Sequence, residues 1–286
     1  KDAIIKLPEN NLSLLPKILN EITIEKEQQM RKKCIEIYNK LKYNFSNKKT
    51  HTLIHYCCGS YEQGLVGGVA RYDHHIKLAF PDRIFIKQKD PILLDYCDSY
   101  KDELIVITDN HLACDVPNNI KTYLVHHGVA ETHAEREPGW NEYWKKLCCD
   151  GQKKMLYYRD PKTTDIISIS QFCTDEFDRI YKNTYRQFNV TKILHCSELN
   201  EHRTINKFND IPNILGNWIG FNKGEHIVEK LKLQSPNYIF NKLKVSIDKN
   251  GIDDFNKRKQ DIYLNNDIFL QLSLCEGSSY AGLDAL

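Results

Sequence analysis

Short apolar runs that alternate with helix-length segments limit most strongly what this chain can fold into. Thr52–Cys58, Arg83–Lys87, Leu104–Thr108, Lys121–His126, Asp165–Ser170, Val190–Cys196, Ile211–Ile219, Asn237–Ser246 and Ile268–Leu274 read as strands. Val69–Phe80, Thr174–Tyr185, Glu225–Leu233 and Asp253–Tyr263 read as helices between them, with Thr174 a candidate cap. Parallel neighbours need a long crossover, and a helix supplies it. The alternation therefore predicts an α/β fold with parallel sheets. At 286 residues the chain is long for one core and comfortable for two domains. Tyr157–Thr164 reads as a linker, dividing the chain into residues 1–160 and 161–286.

Ahead of the first strand, Asn10–Asn44 predicts a helical extension with two apolar stripes, Leu12 to Ile22 and Met30 to Leu41. Arg31-Lys32-Lys33 and Lys48-Lys49 read as a solvated basic face that also suits peripheral contact with acidic lipid headgroups. Charged residues at 27% and hydrophobic ones at 41% are ordinary for a globular protein, and a net charge of +2 gives no global argument for nucleic acid. No apolar run is long enough for a membrane span. The ten cysteines include no Cys-x-x-Cys and read as reduced thiols, which fits a cytoplasmic protein. The chain opens at Lys1 without an apolar leader. It stops within the first turns of the helix that begins at Tyr280, so the second domain is expected to be truncated.

Three junctions carry chemistry. Thr52–Cys58 runs into a loop with Gly64, Gly67 and Gly68 and then a helix, an arrangement that cradles phosphate on backbone N–H groups. The glycine spacing is not a dinucleotide fingerprint, and no Lys-Ser/Thr follows as in a P-loop. Lys121–His126 ends in His126-His127-Gly128, at the strand end where open α/β sheets bind ligands. These histidines, with His133, lack acidic or cysteine partners at ligand spacing, so no metal is expected. Glu135 and Glu137 read as solvent-facing charges in a polar loop and short helix over Glu131–Asp150. The third junction, Asn266–Asp284, is a strand, the turn Glu276-Gly277, the caps Ser278 and Ser279, and a helix. Glu276 falls at the strand's carboxyl end, and Asp284 comes two helical turns later. Fixed carboxylates accept the vicinal hydroxyls of sugars and riboses; the plainer reading is a surface Glu and a helix Asp.

This last stretch resembles the signature of retaining glycosyltransferases with the GT-B fold (the group-1 type), in which a Glu-Gly turn is followed after seven residues by a second acid. Here that acid is Asp284. Gly67-Gly68 resembles the family's N-terminal Gly-Gly loop, His127 its His-Gly, with His126 the second candidate, and Lys223-Gly224 its Lys-Gly turn. The resemblance implies two Rossmann-like domains facing across a cleft and metal-independent transfer from a nucleotide-diphosphate sugar to a hydroxyl of a glycan or glycoconjugate. No cofactor beyond the donor is implied. Glu276 and His127 would be catalytic. Gly67, Gly68, Lys223, Gly277, Ser278, Asp284 and His126 would bind substrate, Asp284 through the ribose. No Asp-x-Asp occurs, which argues against the metal-dependent single-domain transferases. The family's Arg before the Lys is missing: Gly216-Asn217-Trp218 stands there, leaving Arg203 or another basic group to substitute. A sugar-nucleotide epimerase of the same fold and an inactive nucleotide-sugar-binding module are the alternatives.

Overall fold

Side chains on successive strand residues point to opposite faces, and in the first sheet both faces are apolar. The computed structural model describes residues 51–59, 67–195, 197, 209–244, 251–275 and 279–285, the side chains of 251–253 excepted. The expected helices over 10–44 and their basic clusters lie outside these residues, as do Gly64, Arg203, Glu276, Gly277 and Ser278. Six parallel strands, β1 (Thr52–Cys57), β2 (Ile84–Lys87), β3 (Leu104–Asp109), β4 (Lys121–His126), β5 (Thr164–Ser168) and β6 (Asn189–Lys192), pair in the order β2-β1-β3-β4-β5-β6. Helices α1 (Gly68–Ala79), α2 (Ile92–Ser99), α3 (Ala130–Arg136), α4 (Glu142–Tyr158) and α5 (Gln171–Tyr185) connect them. Ile54, Tyr56, Leu104 and Val106 pack on α2 residues Leu93 and Cys97. Ile107, Val125 and Ile169 pack on the other face with Tyr72 and Ile76 of α1 and Cys173 of α5. Each fully buried aliphatic side chain contributes roughly 1.5–3 kcal/mol.

The expected α/β class with a parallel sheet is what forms, but the sheet runs past residue 160. β5 and β6 pair with β4 and with each other, so Asp165–Ser170 belongs to the first sheet and does not open a second domain. The expected linker is instead the end of α4 and a tight turn held by Arg159. Its buried guanidinium donates to the Val116 carbonyl at 2.7 Å, Thr122 Oγ1 at 2.8 Å and Thr164 Oγ1 at 3.0 Å, tying β4 to β5. Local composition conceals this, because the partners are up to 46 residues away. Two boundaries also move. The polar loop and short helix expected over 131–150 are largely two helices, α3 and α4, with α4 capped by Asn141 Oδ1, which accepts the Trp144 N–H at 2.9 Å. α5 starts earlier than expected because Ser170 Oγ accepts the Cys173 N–H at 3.1 Å, while Thr174 Oγ1 donates to Ser168 Oγ.

A second parallel sheet, ordered β8-β7-β9, is formed by β7 (Asn213–Gly216), β8 (Ile239–Lys242) and β9 (Ile268–Phe269), with α6 (Glu225–Gln234) and α7 (Gly251–Leu264) as crossovers. β9 is much shorter than the strand expected over 268–274, and a side chain explains part of it: the Leu270 carbonyl accepts Trp218 Nε1–H at 2.9 Å. Gly216 permits this, since a Cβ there would lie 2.3 Å from the Trp218 ring. The chain then returns to the first sheet as α8 (Tyr280–Ala285), whose Tyr280 joins Tyr72, Ile76 and Val125 in one cluster.

Candidate functional site

The chain passes from β1 outward to β2 and then back across to β3. In open parallel sheets the crevice at such a reversal, beyond the carboxyl ends of the strands, is where ligands bind. Here β1 delivers Cys57, β3 delivers Asp109, and β4 delivers His126 followed by His127. Asn110 takes a positive φ of 40°, tolerable for Asn, and its Oδ1 accepts the His127 N–H at 3.1 Å. His127 Nε2 lies 2.9 Å from Asp109 Oδ1, with side-chain exposures of 6% and 4%. A carboxylate only accepts, so Nε2 carries the proton and the Nδ1 lone pair is left. Among the described residues that Nδ1 has no hydrogen-bond partner.

Tyr72 of α1 meets the His127 ring edge-on at 5.2 Å and lies 5.3 Å from His195, which follows β6. His195 stacks on Tyr280 at 4.0 Å, 11° from parallel. Burial first, then the neighbouring His127 and His75 imidazoles and the Arg71 guanidinium, all of which disfavour a second positive charge, hold its pKa well below the usual imidazole value, so the ring is neutral. The result is a wall of neutral rings around the Asp109–His127 pair.

Of the residues singled out from sequence, Gly67 and Gly68 start α1. Gly67 sits at φ 126°, where a side chain would be strained, and α1 has no side-chain N-cap. Its first-turn N–H groups therefore face outward from the helix end. A Cβ on Gly68 would lie 3.7 Å from Tyr280, so the glycine turn and the start of α8 adjoin. Lys223 is half-buried in the turn before α6, and the preceding Asn222 carbonyl accepts the Leu274 N–H at 3.0 Å. Gly224 (φ 83°) packs so closely on Leu272 that a Cβ would come within 2.4 Å. The Lys-Gly turn thus lies alongside the segment that leads to Glu276.

Two expectations need correction. His126 is in the core, 0% exposed, its ring 3.6 Å from that of Phe177 and its Nε2 3.0 Å from Gln152. Burial pushes its pKa down to about 3. It shares the β4 face of Leu124, which packs on the same cluster as Phe177. Asp284 is enclosed as well. Arg71 grips it with two bonds of 2.6 and 2.7 Å, Lys259 lies 3.0 Å away, and Ser197 Oγ donates at 2.7 Å. With its side chain 1% exposed, it fastens α8 to α1 and presents no surface to a ribose. Glu276, Gly277 and Ser278 lie outside the described residues. Sequence reasoning missed Asp109, one residue beyond the expected strand, as well as Tyr72 and His195. Position at a strand's carboxyl end is the signal that could have found Asp109.

His55, Cys57 and Asp73 bring three ligand-type atoms within 4.8 Å of one another, fully buried. Hydrogen bonds occupy both His55 nitrogens and Asp73 Oδ1. Arg83 Nε–H donates to His55 Nδ1 at 3.1 Å, which leaves the proton on Nε2 for Asp73 Oδ1 at 3.0 Å. Burial, reinforced by Asp73 and Asp109, raises the Cys57 thiol pKa, against the thiolate a metal would require.

No family model, curated protein or solved structure matches this chain. Fold and site therefore define it as a class: an α/β protein with a six-stranded parallel sheet and an Asp–His pair at the sheet's carboxyl edge. No helix among the described residues is long and apolar enough to cross a membrane.

Proposed function

We propose that the chain is a retaining glycosyltransferase of the GT-B type. It would move a sugar from a nucleotide-diphosphate donor to a hydroxyl acceptor without a metal. The observation that carries this reading is the convergence of three separate segments. The Gly67-Gly68 turn adjoins Tyr280, and the Lys223 turn is bonded to Leu274, the described neighbours on either side of Glu276, Gly277 and Ser278 in the sequence. In this reading the α1 N-terminus and Lys223 meet the charge that develops on the leaving diphosphate. His127, oriented by Asp109, accepts a donor-sugar hydroxyl at Nδ1, and Glu276 accepts another. The leaving phosphate takes the acceptor's proton on the face of attack, so no enzymic nucleophile is needed.

A thermal-shift screen against UDP-, GDP-, ADP- and TDP-sugars tests it, since a bound donor raises the melting temperature by mass action. Transfer from the stabilising donor, with the anomeric configuration followed by NMR, is the expected second result. Failure of every donor to bind or react would refute the proposal. Donor alone separates the alternatives: an epimerase converts it, a binding module leaves it intact, and a transferase hydrolyses it slowly.

A further inference from the structure

The α3–α4 corner holds a hollow of about 220 Å³ lined by Gly139, Trp140, Asn141, Trp144 and Cys148. We infer that this hollow is a subsite for a neutral sugar ring of the acceptor, an assignment that rests on the glycosyltransferase reading. Trp144 is 53% exposed although indole is among the most favourable surfaces to bury. An exposed aromatic at the rim of a concave surface marks a place where something apolar and flat is laid down.

The Trp140 indole is held in place before any ligand arrives. Trp140 stacks on His133 at 5.7 Å and 9° from parallel, and His133 lies 3.1 Å from Glu137. Trp144 stands in the first turn of α4, its backbone N–H bonded to Asn141 and its ring meeting the edge of Tyr143 at 5.8 Å. The lining carries no carboxylate, ammonium or guanidinium, and burial raises the Cys148 thiol pKa, keeping it neutral. A phosphorylated headgroup or an acidic peptide would find no counter-charge there. A pyranose needs none: its C–H face lies against indole and its hydroxyls bond to amides such as that of Asn141. Position agrees. A Cβ on Gly139 would sit 3.3 Å from Asn222 Nδ2, so the hollow borders the turn that carries Lys223.

Intrinsic fluorescence reads the site directly. The chain has three tryptophans, and Trp218 is 1% exposed in the core, so a ligand-induced change originates from Trp140 and Trp144. Titration of the full chain with methyl α- and β-glycopyranosides and with maltose, cellobiose and lactose is expected to give a saturable change for at least one. By calorimetry, Trp144→Ala and Trp140→Ala are expected to weaken that sugar roughly three- to tenfold each, with a smaller loss in Trp144→Phe. Because Trp144 is half outside, its truncation leaves the core intact. No response to any of the sugars, or undiminished affinity in both alanine variants, overturns the assignment. A response only to vesicles containing phosphatidylglycerol also overturns it and makes the corner a lipid-facing surface. The titration requires no donor, so a subsite that binds sugar in a protein inert towards every nucleotide sugar would fault the catalytic reading and not this one.

Discussion

Replacing Asp284 with asparagine keeps the shape of the side chain and removes its charge, which isolates what the carboxylate does. In the native protein it receives both arms of Arg71, the Lys259 ammonium and the Ser197 hydroxyl, with side-chain exposures of 2% for Arg71 and 5% for Lys259. Asp284→Asn leaves two buried cations without this counter-charge. Removing one partner of such a buried pair costs about 3–5 kcal/mol. For a domain of this size each kcal/mol corresponds to about 2–4 °C, so the melting temperature is expected to fall by roughly 6–20 °C. The assay is thermal and urea unfolding of wild type and variant at pH 7. A second variant, Arg71→Met on the Asp284→Asn background, should recover much of the loss, because neutralising the partner removes part of the uncompensated charge. A melting temperature within about 2 °C of wild type would refute the fastening role. If that came with a raised KM for the donor, Asp284 would be the ribose ligand after all.

Three further outcomes are expected. His127→Ala should lower transfer roughly ten- to a hundredfold, since a bond made with the help of a charged partner is lost, and Asp109→Asn should mimic it by releasing the tautomer; an unchanged rate in both would remove the pair from the reaction. Glu276→Ala should likewise cost roughly ten- to over a hundredfold in turnover, and unchanged turnover would remove its sugar-holding role. His126 is neutral in the fold, its pKa pushed down to about 3, so the native state binds fewer protons than the unfolded chain. Stability present above the ordinary imidazole pKa is therefore lost as pH falls from about 6.5 towards 3, by at most roughly 5 kcal/mol. Asp73, whose pKa is raised by burial and then by Asp109, acts with the opposite sign, losing its contribution as pH rises. Urea midpoints for wild type and His126→Gln across this range isolate the histidine, and parallel curves would exclude it as the acid-labile group.

The parallel sheet was legible because burial on both faces writes itself as apolar runs, as in Leu104–Thr108. Errors arose where structure depends on distant partners. Nothing near Tyr157–Thr164 reveals that Arg159 gathers carbonyls from 116–120, so the segment resembles a linker. α4 was hidden because the apolar residues of its first half, Tyr143, Trp144 and Leu147, face outward, with its core contacts Met155 and Leu156 arriving late. His126 and His127 are indistinguishable by composition, yet parity along β4 separates them, since every second residue shares the core face of Leu124. Asp284 matched a local spacing, while its partner Arg71 lies 213 residues earlier, where no motif points to it.

The return of α8 has a consequence for how the protein can be cut. Tyr280 completes a cluster that otherwise belongs to α1 and the first sheet, and it covers His195. A fragment ending near residue 200 would bare Tyr72, Ile76 and the imidazole to water, however complete its six strands. The two sheets are thus stitched together by the last helix described, and a nick between 264 and 279 should loosen a nucleus whose other members reach as far upstream as Tyr72.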